Sequence, residues 1–267
     1  MDSPAAARPP LDVARLRGLH RGSLHFEVHV VDQARSTNGL ATQWAQGEAP
    51  EGLVVVAEHQ TAGRGRLDRV WETPDRAALT LSVVLRPDVE PARWPWLPLL
   101  MGVSVADALR AVGAPAQLKW PNDVLLGDRK VAGILVERVE TPVGPAAVAG
   151  VGINVSTTAA ELPVLEATSL AIEGIDVDRT DLLVAVLESL ADRYAGWLAD
   201  PAGLRAAYVE RCRTVPDRWV RVELPDGHAV TGVTRDVAES GALVVVTADG
   251  ELTVNAGDVV HLRPADQ

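Results

Sequence analysis

Between Leu24 and Val155 the chain is written as strand after strand. Seven segments rich in Val, Ile and Leu (Leu24–Val31, Leu53–Gln60, Ala78–Leu85, Gln117–Trp120, Asp123–Leu126, Lys130–Val139 and Ala146–Val155) are separated by turn residues. Helical signals interrupt them twice. Ser36-Thr37-Asn38 offers capping oxygens ahead of Leu40–Gln46, with Gly47 as the stop, and Trp96–Val112 continues as a helix beyond its prolines. Strands that come in runs, with few regular βαβ alternations, predict an α+β fold with a mixed sheet rather than a doubly wound nucleotide fold.

Two more helices are predicted over Thr180–Leu198 and Gly203–Arg213, the first with Leu183, Leu187, Leu190, Tyr194 and Trp197 at helical spacing. The pattern then changes around Thr214-Val215-Pro216-Asp217. Only short strands follow (Trp219–Leu224, Ala229–Val237, Leu243–Thr247, Glu251–Asn255 and Val259–Leu262), joined by Gly-containing turns. Residues 216–267 therefore suit a small SH3-like β-barrel behind a main domain at 23–215. Residues 1–22, rich in Ala, Pro and Arg, read as a disordered segment with a short amphipathic piece near Leu11–Leu19. Such a segment is too short for a helix-turn-helix DNA-reading domain.

The net charge of −11 and pI near 5.0 argue against a broad nucleic-acid face while leaving room for a local basic pocket. The one cysteine, Cys212, on the last predicted helix, has no intrachain partner. No apolar run approaches the ~18 residues a membrane span needs. A reducing cytoplasm is the expected compartment.

The basic residues are unevenly chosen. Of 25 Lys plus Arg, the only lysines are Lys119 and Lys130. A lysine is a compact point charge, whereas arginine is a planar fork. Both lysines fall in one stretch, Lys119-Trp120-Pro121-Asn122-Asp123 … Lys130-Val131-Ala132-Gly133. There Lys119 and Asn122 suit phosphates, and Asp123 suits a Mg²⁺ that bridges them. A second cluster, Gly63-Arg64-Gly65-Arg66-Leu67-Asp68-Arg69-Val70-Trp71, puts three arginines on a glycine-permissive turn. Trp71 can stack on a base or close an apolar lid. No Gly-Lys-Ser/Thr follows, so this is not a Walker loop. In Gly150-Val151-Gly152-Ile153-Asn154 two glycines inside a strand signal either a bulge or a close approach by another group.

Together these clusters resemble the biotin–protein ligases, in order and spacing, over about residues 25–265. The motifs are Ser36-Thr37-Asn38, Gln60 through Trp71, Lys119 through Asp123, Lys130 through Leu135, and Gly150 through Asn154. The resemblance implies a catalytic domain related to class II aminoacyl-tRNA synthetases and a C-terminal SH3-like domain. It implies adenylation of biotin by MgATP, then transfer to one lysine of a biotin carboxyl carrier domain of acyl-CoA carboxylases. It also implies the group without an N-terminal DNA-binding domain, hence no DNA or membrane partner, as a monomer or weak homodimer. Carried onto this chain, Ser36, Thr37, Asn38, Gln60, Gly63, Arg64, Gly65, Arg66, Lys130, Gly133 and Gly152 would hold biotin. Arg66, Arg69, Trp71, Lys119, Asn122, Asp123 and Asn154 would hold ATP and the adenylate. Lys130, Arg64 and Lys119 would be catalytic, and Asp123 would take Mg²⁺. Asp68 and Gly39 depart from the family's usual residues. The competing readings are a lipoate-type acyl-adenylating ligase and a non-catalytic biotin-binding module.

Overall fold

The computed structural model describes residues 8–66 and 69–261. The expectations for residues 1–7, for Asp68 and for Leu262 lie outside the described residues. In chain order the elements are β1 (His20–Arg21), β2 (Leu24–His25), β3 (Glu27–Ala34), α1 (Thr37–Gln46), β4 (Leu53–Gln60), β5 (Gly63–Arg64), β6 (Val70–Trp71), β7 (Ala78–Leu85) and α2 (Trp96–Ala111). These are followed by β8 (Gln117–Lys119), β9 (Asp123–Leu126), β10 (Arg129–Val139), β11 (Ala146–Asn154), α3 (Arg179–Ala199) and α4 (Pro201–Arg211). The last part is all strand: β12 (Trp219–Glu223), β13 (Ala229–Val237), β14 (Leu243–Thr247), β15 (Gly250–Val254) and β16 (Asp258–His261).

A seven-stranded mixed sheet in the order β3-β4-β7-β11-β10-β9-β8 organises the main domain, with β3 parallel to β4 and the other pairs antiparallel. Its central strands read as unbroken hydrophobic runs because both faces are buried. Val54 and Val56 of β4 join the large core that holds α2 and α3, whereas Leu53 and Val55 join a smaller one with Ala41 and Ala45 of α1. That is the period of two expected for a strand covered on both sides. Ser36 caps α1 by accepting from Gly39 N, and Gly47 ends it, as the sequence predicts.

The C-terminal strands form one antiparallel sheet, β15-β14-β13-β12-β16. Two tryptophans of the main domain bind its β13–β14 turn. Trp120 Nε1 donates to the Gly241 carbonyl at 3.1 Å and Trp96 Nε1 to the Glu239 carbonyl at 2.6 Å. Arg205 of α4 adds an ion pair to Asp236 and a 2.7 Å hydrogen bond to the Val237 carbonyl.

Three expectations change. The predicted strand Leu24–Val31 is broken at Phe26 into β2 and β3, and Phe26 is buried. Cys212 is the buried residue that ends α4, not part of it. Disorder through Gly22 does not hold for the described residues 8–22. There the chain forms an arm with Leu11 and Leu16 buried in the large core, because those apolar side chains have a groove to fill. Among the described residues no helix is long and apolar enough to cross a membrane.

The arm is fixed by a buried ion pair. Arg179 Nη2 meets Glu58 Oε2 at 2.6 Å, with the two side chains 7% and 4% exposed. Glu58 Oε1 also accepts from Leu11 N at 2.7 Å, and Arg179 Nη2 donates to the Pro9 carbonyl at 2.7 Å. Removing one partner leaves a buried, uncompensated charge. Arg179→Met is therefore expected to cost about 3–5 kcal/mol of stability, measured by urea unfolding. A change under about 1 kcal/mol would show that Glu58 finds other compensation.

Candidate active site

The two lysines and the loop arginines converge on one cavity of about 610 Å³, lined by residues of β4, β9, β10 and β11 among others. Sixteen of the seventeen predicted site residues line it: Ser36, Thr37, Asn38, Gln60, Arg64, Gly65, Arg66, Arg69, Trp71, Lys119, Asn122, Asp123, Lys130, Gly133, Gly152 and Asn154. Gly63 does not. It pairs with Trp71 across β5–β6, and a β-carbon there would lie 2.4 Å from the Trp71 carbonyl oxygen. Gly63 thus lets two backbones approach and offers the cavity nothing.

Part of the cavity is floored by polar groups that mostly satisfy one another. Thr37 N and Thr37 Oγ1 donate to Gln60 Oε1 at 2.8 and 3.1 Å. Ser82 Oγ sits between Thr37 Oγ1 at 2.8 Å and Asn38 Oδ1 at 2.6 Å. Asn38 Nδ2 donates to the Leu135 carbonyl and to Glu137 Oε2. Asn38 is therefore fully engaged with protein partners and anchors the start of α1, which departs from its expected role as a direct ligand contact. The Ser36 hydroxyl proton and Gln60 Nε2 take no partner among the described residues, which leaves them as the donors for an incoming group.

The glycines serve a ring. A β-carbon at Gly152 would stand 2.5 Å from Trp71 Cε2, and one at Gly133 would stand 3.1 Å from Trp71 Cζ3. Gly150 makes the same room for Asn38. The β10–β11 register runs without a shift through these positions, so the glycines mark close approach and not a bulge. Trp71 carries a buried Nε1–H without a partner among the described residues.

The cavity is also lined by cations, and most of them hold an acid. Lys130 Nζ lies 2.5 Å from Asp123 Oδ1 and 5.7 Å from the Trp71 ring centre. Arg64 pairs with Glu137 at 3.2 Å. Arg69 pairs with Asp258, which also stands 4.0 Å from Arg66. Arg66 Nη1 donates to Asn122 Oδ1 at 3.2 Å, while Asn122 Nδ2 donates to the Ile134 carbonyl at 2.9 Å. Asn122 thus braces an arginine. Lys119 makes no ion pair among the described residues. Burial lowers its pKa, and the Asp123 carboxylate only partly offsets this. Burial, together with the charges of Lys119, Arg213 and Arg218, pushes His261 down to about 4, which registers the positive field around it.

Sequence reading missed Ser82, Glu137 and the contribution of the C-terminal domain. Glu223, Asp258, Val259 and Val260 line the cavity. A small antiparallel β domain with no motif of its own gave no signal for this. Only the acid in Gly257-Asp258, read against the arginine loop, could have suggested it.

The family comparisons agree with this geometry. The biotin/lipoate A/B protein ligase family matches residues 30–154, and the biotin protein ligase C-terminal domain matches residues 217–262. A biotin–[acetyl-CoA-carboxylase] ligase of Mycobacterium tuberculosis is 42% identical over 265 residues, which is 96% of this chain and 97% of the relative. The chain belongs to the biotin protein ligase family. The bifunctional ligase/repressor BirA of Escherichia coli is 36% identical over 229 residues, covering 83% of this chain and 70% of that protein. Among solved structures, the biotin protein ligase of Aquifex aeolicus in complex with biotin and ATP superposes with a TM-score of 0.76 at 27% identity. That match covers 88% of this chain and 98% of the other.

The seating of Trp71 on a glycine surface gives a test within this ligase. Gly152→Ala is expected to destabilise the chain by about 1–3 kcal/mol through overpacking. In a Trp71→Ala background that penalty should vanish, because the colliding ring is gone. An equal penalty in both backgrounds would place the strain elsewhere.

Proposed function

We infer that the chain is a biotin–[acetyl-CoA-carboxylase] ligase. It activates biotin with ATP to biotinyl-5′-AMP and transfers the biotinyl group to a lysine of a carrier domain. The observation that carries this reading is one cavity lined both by neutral donors and by a lysine–arginine cluster. An apolar bicycle with a ureido head needs a few placed polar groups against apolar walls. A carboxylate meeting a triphosphate needs fixed cations where charge develops. Ser36 and Gln60 meet the ureido ring, and Trp71 closes over it from the glycine face. Arg64 and Lys130 draw the carboxylate to the α-phosphorus. Arg66, Arg69 and Lys119 hold phosphates, with Asn122 bracing Arg66 and Asn154 lining the nucleoside end.

The first step needs no general base, since a carboxylate is already a nucleophile. Its oxygen attacks the α-phosphorus, the α–β bridging bond breaks, and pyrophosphate leaves. In the second step the carrier lysine's neutral amine attacks the acyl carbon and AMP leaves, while Lys130 polarises the acyl carbonyl. Lys130, Arg64 and Arg69 each pair with an acid, so incoming anions take over cations that these acids otherwise hold.

Magnesium fits as an ion carried by the nucleotide. Among the described residues no group of three His, Cys, Asp or Glu is placed to hold a metal. Asp123 lines the cavity as a single carboxylate with Lys130 on one oxygen, which suits partial coordination of a phosphate-borne ion. The carrier domain of acetyl-CoA carboxylase as acceptor and the cytoplasm as compartment complete the proposal.

The direct test is incubation with biotin, MgATP and a biotinyl carrier domain, read by avidin blot. Labelling of the carrier is expected, and its absence with active controls would contradict the reading. Competition by lipoate in pyrophosphate exchange separates the lipoate-type alternative. Lys130→Ala is expected to lower adenylate synthesis about 10²–10³-fold, on the scale of losing one preorganised donor. Near-normal pyrophosphate exchange would remove Lys130 from the mechanism. Lys119 is a cation below its pKa, and burial brings that pKa beneath that of a free lysine. ATP affinity should therefore fall as pH rises toward that value from below. Lys119→Arg should push the alkaline limb outward, and an unmoved limb would assign it to another group.

A further inference from the structure

We propose that Arg8, on the N-terminal arm, is a positioning residue for adenylation. The proposal rests on the ligase reading above. The Arg8 guanidinium joins two segments far apart in sequence that both border the cavity. Nη1 donates to the Asp75 carbonyl at 3.3 Å. Nη2 donates to the Ser156 carbonyl at 3.0 Å and to Glu161 Oε2 at 2.7 Å. Asp75 lies on the stretch by which the glycine–arginine loop, after Trp71, returns to the sheet at β7. Ser156 and Glu161 lie on a strap that runs from the end of β11 to Thr168.

That strap holds Lys130. Lys130 N donates to the Glu166 carbonyl at 2.7 Å, and Thr168 N donates back to the Lys130 carbonyl at 2.8 Å. The backbone of the lysine is thus bracketed on both sides. Asn154 Nδ2 donates to the Thr168 carbonyl at 2.9 Å, and Pro163, Val164 and Ala167 face the cavity. Glu161 closes the far turn of the strap by accepting from Thr158 N and Thr158 Oγ1. The hydrogen bond from Arg8 is the main influence holding the Glu161 carboxyl below the usual range.

Exposed ion pairs contribute little. This one is different in kind, because the Arg8 side chain is only 18% exposed and serves two backbone carbonyls as well as a carboxylate. The arm that carries it is itself pinned through Pro9 and Leu11 to the buried Arg179–Glu58 pair. Arg8 therefore makes the exit of the arginine loop and the strap behind Lys130 move as one body. A small displacement of a reacting group, caused from a distance, has a large effect on rate.

The test uses the full chain and four variants: Arg8→Met, Arg8→Lys, Glu161→Gln and the double variant Arg8→Met/Glu161→Gln. Single-turnover adenylate synthesis from biotin and MgATP is measured per folded active site, alongside melting temperature. Arg8→Met is expected to slow synthesis at saturating substrate by about tenfold or more, with kcat falling more than KM changes. Arg8→Lys should recover part of the rate. Glu161→Gln, which breaks the same junction from the other side, should slow synthesis if Arg8→Met fails to fold. The double variant should be no slower than the worse single one, since both act through one contact. Single variants that lower the melting temperature but keep the wild-type rate per folded site would overturn the proposal, as would additive losses. Failure of the unmodified chain to form adenylate would instead count against the ligase reading.

Discussion

Gathering like charges into one small cavity is the demand that shapes this molecule. Arg64, Arg66, Arg69, Lys119 and Lys130 all face the same space, and in a partly desolvated site their mutual repulsion is large. The chain offsets it with three carboxylates drawn from three places. Asp123 comes from the strand beside Lys130, Glu137 from farther along the same strand as Lys130, and Asp258 from the C-terminal sheet. The cations are thereby oriented by acids of the chain itself, and in the proposed reaction an incoming anion would replace them. Lys119, without a paired acid among the described residues, is the cation whose charge is least supported.

The mixed sheet makes this gathering possible. Antiparallel β9, β10 and β11 bring Asp123, Lys130, Gly133 and Gly152 side by side, since Asp123 pairs with Gly133 and Gly133 with Gly152. The single parallel strand pair of the main sheet, β3 with β4, sends the chain through α1 so that Thr37 meets Gln60. The C-terminal domain is locked to this arrangement by Trp96 and Trp120, whose indole nitrogens bind one turn of its sheet. Its place at the cavity follows from that lock, which gives a domain without chemical motifs a part in the site.

Much of this was legible in the sequence. β4, β7, β9, β13 and β14 begin and end where the hydrophobic runs do, and Ser36 and Gly47 bound α1 as capping chemistry requires. The grouping of lysines, arginines and glycines also pointed to one cavity. What could not be read was which polar groups face a ligand and which face each other. Asn38 and Asn122 look like ligand contacts in sequence, yet their side chains bind protein, because a neighbouring strand supplies Leu135, Glu137 and Ile134 at the right distance. The N-terminal arm was misread for a similar reason. Its composition is that of a disordered tail, but the apolar groove that takes Leu11 and Leu16, and the Arg179–Glu58 pair that fixes it, are assembled from distant parts of the chain.

The central claim is that Arg64 and Lys130 grip the junction between acyl group and phosphate. A crystal structure with a non-hydrolysable biotinyl-adenylate analogue tests it most directly. The account predicts the Lys130 amine and the Arg64 guanidinium within about 3.2 Å of the bridging atoms or the α-phosphate oxygens, with Asp123 and Glu137 turned aside. An analogue bound with both cations still paired to those acids, and beyond hydrogen-bond reach of the junction, would contradict it.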